Sequence, residues 1–148
     1  MKRVMASAMV QAAPRRVWDL YADVAHSAEW IPFVEEVLSV SDPLGPGESY
    51  RERTRFMGIS DVSDWRIVEW DAPRRQVHRS SNKQLDMDLV IEIEAIDGGA
   101  RVLQAAVLSS KMPGLLGQLH ERAFGFVARS GLEQAVAAAK RELETADA

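Results

Sequence analysis

Between Phe33 and Ser110 the chain is a series of short β-prone runs, and the residues that follow, 115–145, have the composition of one long helix. No other feature limits the possible folds as tightly. The runs are 33–40, 48–57, 61–70, 74–82, 85–96 and 100–110. They are parted by Gly45-Pro46-Gly47, Gly58, Ala72-Pro73, Asn82 and Asp97-Gly98-Gly99. Each separator carries turn chemistry, so a meander of antiparallel hairpins is expected. Residues 115–145 are rich in Ala, Leu, Glu, Lys and Arg, the strong helix formers, and follow a bend at Met112-Pro113-Gly114.

Ahead of the meander, residues 3–11 read as a strand. Pro14, with its fixed φ and missing N–H, suits the first turn of a helix running to about Asp23. Within it Val17, Trp18, Leu20 and Tyr21 recur at spacings of three and four, the mark of one buried stripe. A second short helix is expected around Ser27 to Trp30, before Pro32. The start, Lys2-Arg3 and an apolar stretch, superficially mimics a signal peptide. That stretch is short and interrupted by Ser7, so a strand is the expectation. Strand, two helices, six strands and a long helix predict an α+β fold, a single domain over 1–148. One curved antiparallel sheet of about seven strands is covered on one face by the C-terminal helix and wet on the other.

Composition narrows the function classes. A length of 148 residues suits one domain with a real core, and 47% apolar with 27% charged residues is ordinary for a globular chain. A net charge of -4 lacks the basic excess that holds nucleic acid. Without cysteine there is no disulfide, thiolate nucleophile or cysteine-bound zinc, and a reducing, cytoplasmic location is the default expectation. His26, His78 and His120 share no metal-ligand spacing. No glycine-rich phosphate loop follows a strand, and no serine sits in a nucleophile elbow. Neither metal nor cofactor is therefore expected. No run approaches the ~18 to 20 apolar residues of a membrane span.

Alternation assigns the sheet faces. In 48–57, Arg51, Arg53 and Arg55 fall on one side, and Tyr50, Glu52, Thr54 and Phe56 on the other. Three unpaired guanidiniums in a dry interior would cost several kcal/mol each, so the arginines face water and Glu52 faces inward. In 85–93 the row Leu85, Met87, Leu89, Ile91 and Ile93 points in; Met87 serves either as core or as a ligand contact. The last strand turns Val102, Gln104, Ala106 and Leu108 inward. In 74–82 periodicity does not decide between Gln76, His78, Ser80 and Val77, Arg79, Ser81. The long helix shows two stripes on nearly opposite sides, Leu116, Leu119, Ala123, Val127 and Leu132, Val136, Ala139, Leu143. Either it bends near Gly125 or Gly131, or its ends pack against different layers. His120, Phe124 and Phe126 lie on its first half, within reach of a cavity mouth.

Several strings in this order resemble the START-like helix-grip superfamily, the SRPBCC group, and within it the bacterial polyketide cyclase/dehydrase-like proteins. They are Val17-Trp18-Asp19-Leu20, Trp30-Ile31-Pro32-Phe33-Val34 after Asp23, and Tyr50-Arg51-Glu52 after Gly47. Trp65-Arg66-Ile67-Val68-Glu69-Trp70-Asp71 before Pro73-Arg74-Arg75, Gly98-Gly99-Ala100-Arg101-Val102, and Leu132 through Lys140 to Glu144 follow. The resemblance implies a cavity between sheet and long helix, and it places Trp65 and Ile67 inward. Similar sequences carry an apolar and an aromatic residue where this chain has Gln76 and His78, which implies polar groups in this cavity. A shared fold leaves the function open.

Three readings follow. The first is a protein that binds a hydrophobic polyketide-, lipid- or quinone-like molecule through Trp30, Phe33, Tyr50, Glu52, Phe56, Trp65, His78, Met87, Leu89, Gln104, His120 and Phe124. The second is a cofactor-independent cyclase/aromatase or dehydratase. There Glu52, its pKa raised by burial, and His78, titrating near neutrality, move protons. The third is an accessory protein docking through its arginine-rich outer face. The expected partner is a small-molecule ligand, with no nucleic acid, and the expected state a monomer or homodimer.

Overall fold

The computed structural model describes residues 1–145. β1 (Lys2–Val10) leads into α1 (Pro14–Ala22) and a 3-10 turn (Val24–Glu29). Six strands follow: β2 (Val34–Val40), β3 (Ser49–Phe56), β4 (Ile59–Asp71), β5 (Arg75–Ser81), β6 (Leu85–Ile96) and β7 (Gly99–Ser110). α2 (Gly114–Thr145) ends the described chain. The seven strands form one antiparallel sheet in the order β1-β7-β6-β5-β4-β3-β2, so the meander closes by pairing β7 with the N-terminal strand. The helix-grip architecture read from the sequence is the one observed, with the short helix displaced toward Asp23 as a 3-10 turn.

Register identifies the face that matters. Gln104, Ile91 and Gln76 lie side by side on β7, β6 and β5, and Trp70 on β4 continues that row; Ala106, Leu89, His78 and Ile67 form the next. This inner face carries α2. Val4, Ala106 and Leu132 pack together, while Val136, Ala139 and Leu143 join Val17, Trp18, Ile91 and Val102 in the main core. Burial of the valine, leucine and isoleucine side chains among them contributes about 1.5–3 kcal/mol each.

Two expectations change. The outer face is not uniformly wet: Val77, Val90 and Ala105 are buried there, with Val68 and Leu103 against them. Their flanking pairs Arg75–Glu92 and Arg79–Asp88 lie beside them on the same face, and arginine stems cover apolar surface while the charged heads stay in water. Second, α2 runs unbroken past Gly125 and Gly131. Its first apolar stripe packs on no layer, since Leu116 is 65% and Leu119 52% exposed. In that half the buried positions are the glycines Gly117 and Gly125, the latter close on Lys2 and Val4. A stripe count weighted by side-chain size misses a face built from glycine.

Candidate functional site

The inner face combines an apolar floor with one polar chain. β3 presents Tyr50 and Glu52 inward, β4 presents Trp65 opposite Tyr50, and β5 presents Gln76 and His78. The Tyr50 hydroxyl lies 2.7 Å from His78 Nδ1, and His78 Nε2 lies 2.7 Å from Gln76 Oε1. The Gln76 oxygen can only accept, so Nε2 carries the His78 proton, and Nδ1 accepts from Tyr50. Burial holds the imidazole at a pKa of about 4, and burial followed by the Glu52 charge raises the Tyr50 phenol well above its usual range. At neutral pH the chain Tyr50–His78–Gln76 is thus uncharged, with every donor pointing toward Gln76. The expectation that His78 titrates near neutrality is corrected: no ion pair or solvent offsets its desolvation.

Gln76 is fully buried, and among the described residues its Nε2 has no partner; neither does Oε1 of Gln104, two strands away with Ile91 between. Buried polar groups are ordinarily satisfied, and each one left unpaired costs about 1–3 kcal/mol.

Glu52 is half-buried on the same side, and desolvation raises its carboxyl from 4.5 to about 7. The Trp65 indole N–H offsets part of that rise without forming a well-made hydrogen bond. Glu52 takes no proton from Tyr50, whose hydroxyl is committed to His78. Trp65 instead stacks its ring on Tyr50, centroids 6.3 Å apart.

The centre of the sheet is incompletely covered. Leu89 stands between His78 and Ala106, both buried, yet it keeps accessible surface, as do Met87 on the next row and Glu52 across the face. At the rim Phe56 and Phe33 stack at 4.6 Å and rest on α2 at Gly131, where an added Cβ would come within 3.0 Å of the Phe56 ring. Phe124 meets His120 edge-on at 4.9 Å, and His120 is tied to Ser110 Oγ at 2.7 Å. Phe126, by contrast, is 77% exposed and turned away. Trp30 packs edge-to-face on Tyr21 against the main core, its Nε1 unpaired among the described residues. Two open depressions, of about 400 and 570 Å³, lie elsewhere, one beside β1 and α2 around Ala8 and Val136, the other beside the α1 start around Pro14 and Gly99.

The structure therefore gathers Tyr50, Glu52, Trp65, His78, Met87, Leu89 and Gln104 on one surface, with Phe33 and Phe56 at its rim. It leaves Trp30 half-buried against the main core, and His120 with Phe124 on the first half of α2. Sequence reading missed Trp70. A β-bulge between Ile67 and Glu69 shifts the alternation and turns Trp70 inward, where it meets His78 at 6.4 Å. Sequence reading places Gln76 with His78 as the polar pair of the cavity, through the resemblance, but does not count Gln76 among the ligand contacts. Among the described residues no cluster of His, Asp and Glu could hold a metal, and no helix is long and apolar enough to cross a membrane.

A sheet wrapped on a long helix, with a partly polar inner face, defines the class of helix-grip folds. The chain belongs to the family described as polyketide cyclase / dehydrase and lipid transport, whose model matches residues 1–145. An uncharacterised protein of Mycobacterium tuberculosis (strain H37Rv) is 31% identical over 84 residues, 56% of this chain and 59% of its own length. The chain thus aligns with only about three-fifths of the curated relatives it matches. Among solved structures, an aromatase/cyclase from Streptomyces sp. R1128 superposes with a TM-score of 0.84 at 17% identity, covering 99% of this chain and 96% of that one. A protein from Thermus thermophilus gives 0.81 at 19% identity over 99% and 100%. A START superfamily protein of Mycobacterium smegmatis gives 0.78 at 14% over 97% and 98%. At such identities the likeness concerns the fold.

Proposed function

We propose that this protein binds one hydrophobic small molecule, polyketide-, lipid- or quinone-like, between the inner face of the sheet and α2. The observation that carries the reading is Leu89. It sits at the middle of the sheet between buried neighbours and touches the clusters that hold Leu132 and Val136 of α2, yet it keeps accessible surface, which supports room for a ligand beside that packing. An apolar floor with few polar groups is the usual composition of a ligand pocket. Family membership supports the same reading. Native mass spectrometry of the purified protein tests it: one co-purifying molecule per chain is expected, and a bare chain that takes up no apolar ligand argues against it.

A second reading adds chemistry at the same place. Glu52, with its carboxyl near 7, is poised to give or take a proton at neutral pH, as a dehydration or aldol cyclisation requires. His78 is neutral and fully engaged, so its part there is to fix Tyr50 and Gln76 rather than to carry a proton. Turnover of a candidate polyketide falling by about 10² or more in Glu52→Gln would support this enzyme. A cytoplasmic protein working without metal or cofactor remains the setting proposed for either reading.

A further inference from the structure

The two edges of the sheet are built differently. β2, at one end, is broken by two register shifts and carries Glu35 and Glu36. β1, at the other, pairs with β7 through nine residues without a bulge, and its second side is open. The Val10 carbonyl oxygen points toward β7 at Gly99, whereas the Met9 carbonyl accepts from Lys140 Nζ at 2.8 Å. Main-chain groups alternate in direction along a strand, so Arg3, Met5, Ser7 and Met9 aim theirs at the free edge. Among the described residues only Met9 finds a partner there. No charge or proline stands between Val4 and Val10, the devices that usually keep an open edge from pairing.

This edge is complementary to itself. Val4-Met5-Ala6-Ser7-Ala8-Met9-Val10 reads the same in both directions about Ser7. An antiparallel copy centred on Ser7 therefore sets Met5 against Met9 and Ala6 against Ala8. It also brings free-edge groups to free-edge groups, at Ser7 with Ser7 and Met5 with Met9. Met5 and Met9 are 47% and 61% exposed, and such a pairing covers both. On the inner side an open depression is bounded by Ala6 and Ala8 of β1 and by Glu133, Val136, Ala137 and Lys140 of α2. Along α2 the ion pairs Arg129–Glu133 and Lys140–Glu144 set out charges in the order plus, minus, plus, minus. Laid antiparallel about the midpoint of Val136 and Ala137, each charge faces its opposite, Arg129 against Glu144 and Glu133 against Lys140. Leu132 packs α2 over both β1 and β7, so two such helices stand about 10 Å apart, two strand spacings and a normal packing distance.

We propose that β1 is the docking edge for β1 of a second copy of this chain, joining two seven-stranded sheets about a two-fold axis at Ser7 with the second halves of α2 side by side. About six main-chain hydrogen bonds form across the seam, and Lys140 leaves the Met9 carbonyl for Glu133 of the second copy. The Phe33–Phe56 rim meets α2 at Gly131, whereas β1 meets it at Gly125, so the seam and the rim lie on different sides of the helix. The assembly is independent of what the interior binds.

The chain has no cysteine, so Ser7→Cys places a lone thiol on the axis. Opposed residues of a hydrogen-bonded pair stand about 5.5 Å apart at Cα, within disulfide range. Mild oxidation should link Ser7→Cys into covalent dimers at least about tenfold faster than Ser60→Cys, an exposed position on β4, because pairing raises the effective thiol concentration. Sedimentation equilibrium of the wild type should give twice the chain mass. Met5→Lys with Met9→Lys opposes like charges across the seam and should raise the dimer dissociation constant at least about tenfold; Met5→Lys with Met9→Glu opposes unlike ones and should restore it. Both positions are exposed, and far-ultraviolet circular dichroism should read each variant as folded. A wild type monomeric up to sub-millimolar concentration, equal cross-linking at Ser7 and Ser60, or a dimer indifferent to the charge variants overturns the proposal.

Discussion

Replacing Glu52 by glutamine should make the protein more stable at pH 8 and leave it nearly unchanged at pH 4.5. The carboxyl is raised from 4.5 to about 7 in the folded chain, chiefly by desolvation. A folded-state pKa above the unfolded one means that the native state holds the proton more tightly. Its contribution to stability is then fully present below pH 4.5 and is lost as pH rises through about 7. At about 1.4 kcal/mol per unit, the interval corresponds to about 3 kcal/mol between those limits, an upper value because Glu52 keeps some contact with solvent. Glutamine has nearly the same shape and no titration. Urea unfolding of wild type and Glu52→Gln at half-unit steps from pH 4.5 to 8.5 reads the effect as a difference between the two curves. Exposed groups such as His26, raised by its Asp23 partner, act in both proteins and cancel. Parallel curves, or a variant less stable than wild type at pH 8, would refute the desolvated position of Glu52.

The opposite slope should appear on the acid side. His78 is depressed from 6.5 to about 4, so its contribution is intact above pH 6.5 and is lost as pH falls toward 4, by about 3 kcal/mol. A His78→Gln variant should flatten that limb of the same unfolding series. Tyr50→Phe removes the donor to His78 Nδ1 and should cost about 1–3 kcal/mol in urea unfolding at pH 7, the penalty of an acceptor left unpaired in the interior. Gly99→Ala drives a Cβ into the Val10 carbonyl oxygen, backbone that cannot swing aside, and should cost on the order of 3 kcal/mol by thermal melting. Arg53→Ala loses a half-exposed ion pair with Glu36 and should stay within about 1 kcal/mol of wild type in the same melts.

The parts of the fold visible in the sequence were those set by period and by turn residues. Strict alternation around Arg51, Arg53 and Arg55 fixes β3 because charge on the inner face is too costly, and the structure pairs Arg51 with Asp64 and Arg53 with Glu36 in water. β5 was undecided because both of its faces are polar or mixed. Register with Leu89 and Ile91 settles what alternation could not. Trp70 was hidden by a bulge, a one-residue slip that exchanges the faces of everything after it. The state of His78 was hidden for a different reason. Its low pKa is a property of burial and of Tyr50 and Gln76 on either side, and only tertiary structure brings Tyr50, from β3, to the ring.

The central claim is that usable space lies over Leu89, and an uncharged apolar dye tests it directly. Nile red titrated into the wild type should show saturable enhancement with one dye per chain. In Leu89→Trp, where an indole occupies that space, the enhancement should vanish while the far-ultraviolet circular dichroism stays that of the wild type. Equal binding by both proteins would place the dye elsewhere, and absence of binding by the wild type would contradict the account.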